Sequence, residues 1–213
     1  MQVIFLGAPG TGKGTQAKRL AQRFGAEHIS TGDILRDAIK ENTEMGRKAK
    51  IFMDAGNLVP DDIILGIIKE ELLTKGNKGF IFDGFPRTTA QAEGLDRMLR
   101  DLGMSISKVI NLNVPDEVIV NRLKSRVLCD NCGTDYNMQI RPPKISDKCD
   151  VCGGELYRRS DDAADIIENR LKVYRQKTKP IEDFYRSKGL MAEIDGNRNC
   201  DEVFDSIAKA VAG

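Results

Sequence analysis

The stretch that decides the fold lies near the start of the sequence and reads Val3-Ile4-Phe5-Leu6-Gly7-Ala8-Pro9-Gly10-Thr11-Gly12-Lys13-Gly14-Thr15. Apolar, mostly strand-favouring residues come first, a glycine-rich turn follows, and a helical apolar pattern begins near Lys13. This order of strand, loop and helix is the setting of a phosphate-binding loop. Glycines let successive backbone N–H groups point into one concavity, and the helix directs its positive end there. Lys13 adds a mobile positive charge for the β and γ phosphates of a nucleotide.

The motif from Gly7 to Lys13 reads G-x-x-x-x-G-K, but it departs from the general pattern at the next position. Gly14 stands where Ser or Thr is usual, and Thr15 follows. Which hydroxyl group, if any, reaches a magnesium ion therefore stays open. The alternative interpretation is a glycine-rich hairpin with an ordinary surface lysine, and the order of strand, loop and helix disfavours it.

Size and composition bound the class of protein. The chain has 213 residues, enough for one or two domains with a real core. Its net charge of +1 gives no overall attraction toward nucleic acid or a membrane. Apolar runs are too short to span a membrane, and the phosphate loop starts too early to leave room for a signal peptide. We therefore expect a cytoplasmic protein whose five cysteines stay reduced.

Strands and helices alternate along the chain, which predicts an α/β fold with a parallel sheet. Two insertions interrupt the alternation. Residues 30–59 read as two short helices between loops, and residues 126–162 lack helical periodicity. The predicted core domain comprises residues 1–29, 60–125 and 163–213.

Charged residues mark the ends of several predicted elements. The apolar run that ends at Asp83 reads as a buried strand that delivers this carboxylate to the sheet edge, and a rigid turn then leads to Arg87. Asp61 and Asp116 are expected to cap helices, the second of which would carry Arg122 and Arg126. His28, the only histidine, is expected to be packed or solvent-facing, and Cys200 is expected in a loop.

Four of the cysteines have zinc-ribbon spacing. Cys129-x2-Cys132 and Cys149-x2-Cys152 are separated by sixteen residues. Four thiolates close a tetrahedral shell at about 2.3 Å and leave no position for water, so the predicted metal is structural. The segment has few large apolar residues, and the metal would substitute for a core. Zinc is favoured, while cobalt or iron would also fit four thiolates.

Two other interpretations of the cysteines stay open. They could be unrelated buried thiols, or ligands of a ribbon that binds nucleic acid. The spacing disfavours the first interpretation. Three lysines or arginines against four aspartates between residues 129 and 152 disfavour the second.

Taken together, the chain resembles an adenylate kinase of the long-lid, zinc-containing bacterial type over essentially its whole length. The residues that carry the resemblance are Gly7 to Thr15, Thr31-Gly32-Asp33 with Arg36, Asp83-Gly84-Phe85-Pro86-Arg87 with Gln91, Arg122 and Arg126, the four cysteines, Arg159 with Asp161-Asp162, and Arg170. The resemblance implies a P-loop kinase fold with five parallel strands flanked by helices. It also implies an AMP-binding helical insertion at 30–59 and a zinc-ribbon lid at 126–162.

The resemblance further implies an activity and a set of ligands. The activity is reversible phosphoryl transfer from MgATP to AMP, giving two ADP, by a cytoplasmic monomer with one structural zinc ion. Asp83 would hold Mg²⁺ through water. The residues implied to act in catalysis are Lys13, Arg87, Arg122, Arg126, Arg159 and Arg170.

The resemblance also divides the binding residues between the two nucleotides. The residues implied to contact ATP are Gly10, Thr11, Gly12, Lys13, Gly14, Thr15, Arg122, Arg126, Asp135, Tyr136 and Arg198. Those implied to surround AMP are Thr31, Arg36, Asn57, Leu58, Val59, Gly84, Phe85, Pro86, Arg87, Gln91, Arg159 and Arg170. One departure from the family is Val127, which follows Arg126 where relatives often carry a second arginine.

The chemistry needs cations more than it needs a base. A phosphate oxygen of AMP is already ionised, so the reaction needs no proton acceptor. Positive charge must instead bring two polyanions together and spread the charge of the moving phosphoryl group. Arginine suits this task because its planar fork binds two phosphate oxygens at once.

Three alternative functions share some of these sequence features. Another nucleoside monophosphate kinase, acting on GMP or UMP, is the nearest, and Thr31 and Gln91 favour adenine by resemblance only. A regulatory GTPase would need Asn-Lys-x-Asp, and the candidate at residues 77–80 lacks the aspartate. A zinc-ribbon P-loop protein that binds nucleic acid is the non-enzyme alternative, which the lack of a basic face disfavours.

Overall fold

The computed structural model describes residues 1–76 and 78–212. Asn77, which begins the rejected guanine motif, and Gly213, the end of the predicted core range, lie outside the described residues. The strands are β1 (Gln2–Leu6), β2 (Glu27–Ser30), β3 (Phe80–Asp83), β4 (Lys108–Asn113), β5 (Arg126–Cys129), β6 (Asp135–Asn137), β7 (Leu156–Tyr157) and β8 (Met191–Asp195). The helices are α1 (Lys13–Phe24), α2 (Thr31–Lys40), α3 (Glu44–Asp54), α4 (Asp61–Lys75), α5 (Thr89–Asp101), α6 (Asp116–Lys124), α7 (Ala164–Val173), α8 (Pro180–Ser187) and α9 (Cys200–Ala212).

The central sheet has five parallel strands in the order β2-β3-β1-β4-β8. In the middle strand, Ile4 pairs with Phe82 of β3 on one side and with Val109 of β4 on the other. Because the strands are parallel, their carboxyl ends meet at one edge, where an open α/β sheet places its ligand site. The predicted α/β fold with a five-stranded parallel sheet is confirmed.

Both faces of the sheet are covered by helices, as a buried parallel sheet requires. Side chains alternate along β1, so Ile4 faces a core that includes Ile68 of α4. Phe5 faces the opposite core, which includes Leu20 of α1 and Ile207 of α9. The sheet therefore forms a rigid platform on which the loops at its carboxyl edge stand.

The predicted helix caps at Asp61 and Asp116 are wrong by one residue. The N-cap positions of α4 and α6 are Pro60 and Pro115, and the aspartates are the first helical residues. An aspartate in a first turn still stabilises the positive end of the helix. The carboxylates bond elsewhere: Asp61 accepts two side-chain hydrogen bonds from α5 and its N-cap, and Asp116 pairs with Arg175.

Two other predicted positions also need correction. Arg126 does not share a helix with Arg122, because α6 ends at Lys124 and Arg126 begins β5. Cys200 is the first residue of α9 rather than a loop residue. Near Pro180, a π-helical turn over Tyr174–Thr178 follows α7, and Pro180 then begins α8, where its missing N–H costs no helical bond.

Each predicted insertion has its own local structure. Residues 30–59 contain α2 and α3, the two expected helices. Residues 126–162 contain a three-stranded antiparallel sheet in the order β6-β5-β7. Within the part of the chain that the structure describes, no helix combines the length and apolar character needed to cross a membrane.

Gly46 should be required for the packing of α2 on α3. A Cβ atom at this position would lie 2.1 Å from the carbonyl oxygen of Ala38, so Gly46→Ala forces the two helices apart. We expect a loss of about 1–3 kcal/mol in the free energy of unfolding, measured by urea denaturation. Gly66→Ala is the matched control, because an added Cβ on α4 has no described neighbour within 4 Å. That variant should gain up to about 1 kcal/mol, and equal stability of both variants would contradict the packing argument.

Candidate active site

A cleft of about 840 Å³ lies at the carboxyl edge of the sheet, between the phosphate loop and residues of the 126–162 segment. A smaller cavity of about 70 Å³ adjoins it and is lined mainly by the 30–59 segment and the start of α5. Both are lined by four arginines, which therefore stand at the junction: Arg36, Arg87, Arg159 and Arg170. One large and one small compartment thus meet at a concentration of positive charge.

The phosphate loop follows β1 closely because of two glycines. Gly7 has φ of +130°, and a Cβ atom there would lie 2.6 Å from the carbonyl oxygen of Leu112 on β4. Gly12 is the N-cap of α1 with φ of +97°, a conformation that other residues rarely adopt. These two positions turn the chain from strand into helix, and α1 begins at Lys13 as the sequence predicted.

Lys13 is held against its own loop. Its Nζ donates to the carbonyl oxygens of Gly7 at 2.8 Å and Ala8 at 2.7 Å. Burial lowers the pKa of Lys13 to about 7, and Asp83 opposes this shift while nearby arginines add to it. A buried ammonium group in such surroundings gains much from an arriving phosphate.

Asp83 stands beside this lysine at the end of β3. Burial raises the pKa of Asp83, but the contact with His28 and the charge of Lys13 outweigh burial and hold this pKa below its usual range. His28 is partly buried, with its Nε2 3.6 Å from Asp83 Oδ2, so it is packed as expected. A Cβ atom at Gly14 would lie 3.2 Å from the same carboxylate oxygen. Glycine at this motif position therefore leaves space for the aspartate.

Three arginines near the base of the 126–162 segment are held by two aspartates. Arg126 forms a bidentate pair with Asp162, with N–O distances of 2.8 and 2.7 Å. Arg170 donates to Asp162 Oδ1 at 2.9 Å and to the carbonyl oxygen of Asp161 at 2.8 Å. Arg159 forms a bidentate pair with Asp161. Despite burial, Arg159 and Arg170 lower the pKa of Asp161 strongly, while burial lowers the pKa of Arg170 to about 10.

Hydrogen bonds within and around the turn before α5 fix Arg87, another of the four arginines at the junction. Arg87 Nε donates to the carbonyl oxygen of Gly84 at 2.7 Å, and the same oxygen accepts from Thr31 Oγ1 at 3.0 Å. Thr178, in the π-helical turn, donates to the carbonyl oxygen of Arg87 at 3.0 Å. Sequence reasoning missed Thr178, because nothing local marks a contact between residues 91 positions apart.

The small cavity combines apolar walls with the Gln91 amide, and Thr31 and Asn57 also line it. Gln91 is buried, its Oε1 accepts from the backbone N–H of Arg87 at 2.7 Å, and its Nε2 donates to Asp61 Oδ1 at 2.7 Å. Apolar residues around it make a slot of the kind that suits a flat ring. These residues are Leu35, Met53, Leu58, Val59 and Ile64.

The predicted site residues fall into the two compartments largely as expected, although their roles remain predictions. The expected ATP residues all line the larger cleft: Gly10, Thr11, Gly12, Lys13, Gly14, Thr15, Arg122, Arg126, Asp135, Tyr136 and Arg198. Of the expected AMP residues, ten line the smaller cavity: Thr31, Arg36, Asn57, Leu58, Val59, Gly84, Arg87, Gln91, Arg159 and Arg170. Pro86 lines the larger cleft. The Phe85 side chain is instead fully buried in the core, where its ring lies 6.1 Å from that of Phe82.

The four cysteines of the 126–162 segment form one cluster. Their Sγ atoms all lie within 4.8 Å of one another, and the shortest pairs are Cys129–Cys152 at 3.4 Å and Cys132–Cys149 at 3.6 Å. A tetrahedral metal at 2.3 Å from each sulfur implies separations of about 3.8 Å, so the donor set and spacing fit zinc.

Tyr136 belongs to this cluster as well as to the cleft wall. Its hydroxyl accepts from the backbone N–H of Asp150 at 2.8 Å and lies 3.4 Å from Cys149 Sγ. This hydroxyl contact is the main reason that the pKa of Cys149 falls to about 6. Val127 is buried in the same small core, so this departure from the family fills an apolar position.

Several contacts tie this segment to the rest of the protein, and three of them involve α1 or α2. Thr15 Oγ1 donates to Asp135 Oδ2 at 3.0 Å, so this hydroxyl faces Asp135. Lys18 donates to the carbonyl oxygen of Gly133 at 3.1 Å. Lys40 of α2 pairs with Asp130 at 2.9 Å. The segment therefore covers the cleft from above the phosphate loop.

Comparison with known proteins shows the family to which this chain belongs. A family model described as adenylate kinase matches residues 5–190. The chain belongs to the adenylate kinase family. It is 51% identical to an adenylate kinase of Archaeoglobus fulgidus over 97% of this chain and 96% of the relative. It is 50% identical to an adenylate kinase of Methanothrix thermoacetophila over 100% of this chain and 99% of the relative. The predictions that the chain is an enzyme and an adenylate kinase relative are confirmed, and the cysteine cluster is consistent with the zinc-containing long-lid type.

Nucleotide binding should take up a proton at pH 8. With a pKa of about 7, Lys13 is mostly neutral there, whereas phosphates favour its charged form. Titration calorimetry with a bisubstrate dinucleotide polyphosphate, in two buffers of different ionisation enthalpy, should report uptake of up to about one proton per chain. Affinity should fall as the pH rises from 7 to 9. Lys13→Met should abolish the uptake, and equal heats in both buffers for the natural chain would contradict the assignment.

Proposed function

We propose that this chain catalyses the reversible transfer of the γ-phosphoryl group of MgATP to AMP, which gives two ADP. The observation that carries the proposal is the pair of compartments that share four arginines. The larger one contains a phosphate-binding loop, and the smaller one combines apolar walls with the Gln91 amide. A triphosphate and a nucleoside monophosphate can therefore meet with their phosphates at the junction.

The proposed mechanism uses positioning and charge. The loop and Lys13 hold the phosphates of ATP, and Arg36 and Arg87 hold the phosphate of AMP. Arg159 and Arg170 lie between them, so they stabilise the charge of the moving phosphoryl group. Asp161 already orients these two guanidinium groups through hydrogen bonds, which reduces the reorganisation needed at the transition state.

The residues present also fit the two proposed metal ions. Asp83 offers a buried carboxylate beside Gly14 and Lys13, the type of oxygen donor that Mg²⁺ prefers. When bound with ATP, Mg²⁺ neutralises charge on the phosphate oxygens. The four cysteines would hold one zinc ion in a closed shell, which supports a structural role.

We propose the same domain division as the sequence suggested, with residues 30–59 and 126–162 closing over a core. Water would compete with AMP for the phosphoryl group, so closure has to precede transfer. Two contacts support this idea: Lys40 with Asp130 joins the two segments that would close, and Thr15 with Asp135 joins one of them to the core. We also propose that the protein acts as a cytoplasmic monomer, as the family resemblance implies.

A panel of acceptors tests the proposed reaction. The purified chain is given MgATP with AMP, GMP, UMP or CMP, and ADP formation is followed in a coupled assay. AMP should be the preferred acceptor. Lys13→Met should lower turnover by about two orders of magnitude or more, because its charge serves the transition state. Circular dichroism should show an intact fold for that variant, and near-normal turnover would contradict the role of Lys13.

Zinc should stabilise the lid without taking part in the reaction. Cys129→Ser breaks the sulfur cluster, so we expect loss of bound zinc and a melting temperature lower by roughly 5–10 °C. Turnover well below that temperature should change less than about threefold, because a closed shell has no position for substrate. Cys200→Ser is the control and should retain its zinc, since Cys200 Sγ contacts Arg19 instead of the cluster. A strong loss of turnover with an unchanged melting temperature would contradict a purely structural metal.

A further inference from the structure

Asp61, which the sequence suggested as a helix cap, faces the amide of Gln91 at the end of the small cavity. We propose that Asp61 is a positioning residue that fixes this amide and makes the cavity accept a 6-aminopurine monophosphate in preference to a 6-oxopurine monophosphate. The inference rests on the proposed function, because it places the base of the acceptor nucleotide in the small cavity.

The orientation of the amide follows from a chain of donors and acceptors. Thr88 Oγ1 accepts the backbone N–H of Gln91 at 3.1 Å, so its hydroxyl proton is free to point to Asp61 Oδ2, 2.9 Å away. A carboxylate only accepts hydrogen bonds. The Gln91 atom 2.7 Å from Asp61 Oδ1 must therefore be the donor, Nε2.

The other end of the amide is fixed by a group of the opposite kind. The backbone N–H of Arg87 only donates, so the Gln91 atom 2.7 Å from it must be Oε1. Rotating the amide by 180° would set oxygen against a carboxylate oxygen and NH₂ against an N–H group. Both hydrogen bonds would be lost and replaced by repulsion, which makes the observed orientation strongly preferred.

The fixed amide has one donor and one acceptor left for a ligand. Nε2 keeps a second N–H, and Oε1 keeps a second lone pair. Adenine complements this pair, because its N1 accepts and its 6-amino group donates. Hypoxanthine and guanine present an N1–H donor and a 6-oxo acceptor. The N1–H would then face the N–H of Gln91 Nε2, and the 6-oxo group would face Gln91 Oε1. Gln91 lines the cavity beside the apolar side chains of Leu35, Val59 and Ile64. Thr31 and Asn57 also line it, but their side chains already bond to Gly84 and Asn169.

The sharpest probe compares AMP with IMP, which differ only along this base edge. Asp61→Asn keeps the size of the side chain but adds an NH₂ group. The new amide oxygen can accept the Thr88 hydroxyl proton, which turns the NH₂ toward Gln91 and favours the rotated amide. We expect the ratio of kcat/KM for AMP over IMP to fall at least about tenfold, mainly through the KM of the acceptor.

Two further variants isolate the effect. Asp62→Asn removes the same charge from the exposed neighbouring residue and should leave the AMP/IMP ratio unchanged. Gln91→Leu removes the amide that contacts the base and should bring the AMP/IMP ratio of kcat/KM near one. In that background, Asp61→Asn should have no further effect on the ratio, because Asp61 acts only through Gln91.

The outcomes separate this inference from the proposed function. If the natural chain fails to phosphorylate AMP, the proposed function is wrong. If it phosphorylates AMP but a folded Asp61→Asn variant keeps the AMP/IMP ratio within twofold, the role of Asp61 is overturned. A Gln91→Leu variant that keeps the natural ratio also overturns it, whether or not Asp61→Asn folds. Melting curves followed by circular dichroism establish folding for each variant.

Discussion

Guanidinium groups packed closely in a cleft repel one another, and the carboxylates of Asp161 and Asp162 hold three of them together here. Arg126, Arg159 and Arg170 each bond at least one of these aspartates, so the side chains are oriented before any phosphate arrives. Burial of these charges is unfavourable, and it lowers the pKa of Arg170 to about 10. The ion pairs are favourable, and despite burial they lower the pKa of Asp161 strongly. Three positive and two negative charges leave an excess that a phosphoryl group can use.

The acceptor side of the cleft is held by a second network that reaches across the fold. The turn from Gly84 to Arg87 accepts hydrogen bonds from Thr31 of α2 and from Thr178 of the π-helical turn. The backbone N–H of Arg87 donates to the Gln91 side chain, whose Nε2 donates in turn to the carboxylate of Asp61. The Thr31, Thr178 and Arg87 donors of this network each meet an acceptor, and such paired networks favour one arrangement over its alternatives. The rigid turn places Arg87 at the junction and holds the Gln91 amide in the small cavity. The same turn therefore positions the group that would bind phosphate and the group that would contact the base.

Local signals predicted much of this molecule, and distant contacts account for what they missed. The phosphate loop, the carboxyl-edge position of Asp83 and the cysteine spacing depend on neighbouring residues, and the structure has each of them as expected. The sequence predicts Asp61 as a cap because aspartate is a preferred N-cap residue, whereas its actual partners lie 27 and 30 residues away. Arg126 seemed helical because nothing in its immediate sequence shows that β5 pairs with β6 and β7. Phe85 shares a motif with Arg87, yet its direction depends on the core beneath the turn.

The cysteine cluster and the arginine cluster are joined by a single short strand. β5 begins at Arg126, which pairs with Asp162, and ends at Cys129, whose sulfur belongs to the proposed zinc site. The apolar core around this strand is small, so a metal would add to the pairing with β6 and β7 that sets its register. A metal that fixes Cys129 therefore also limits where the Arg126 guanidinium can lie. The bidentate pair with Asp162 also fixes this guanidinium group, so a closed metal shell would mainly stabilise the strand while it takes no part in the chemistry.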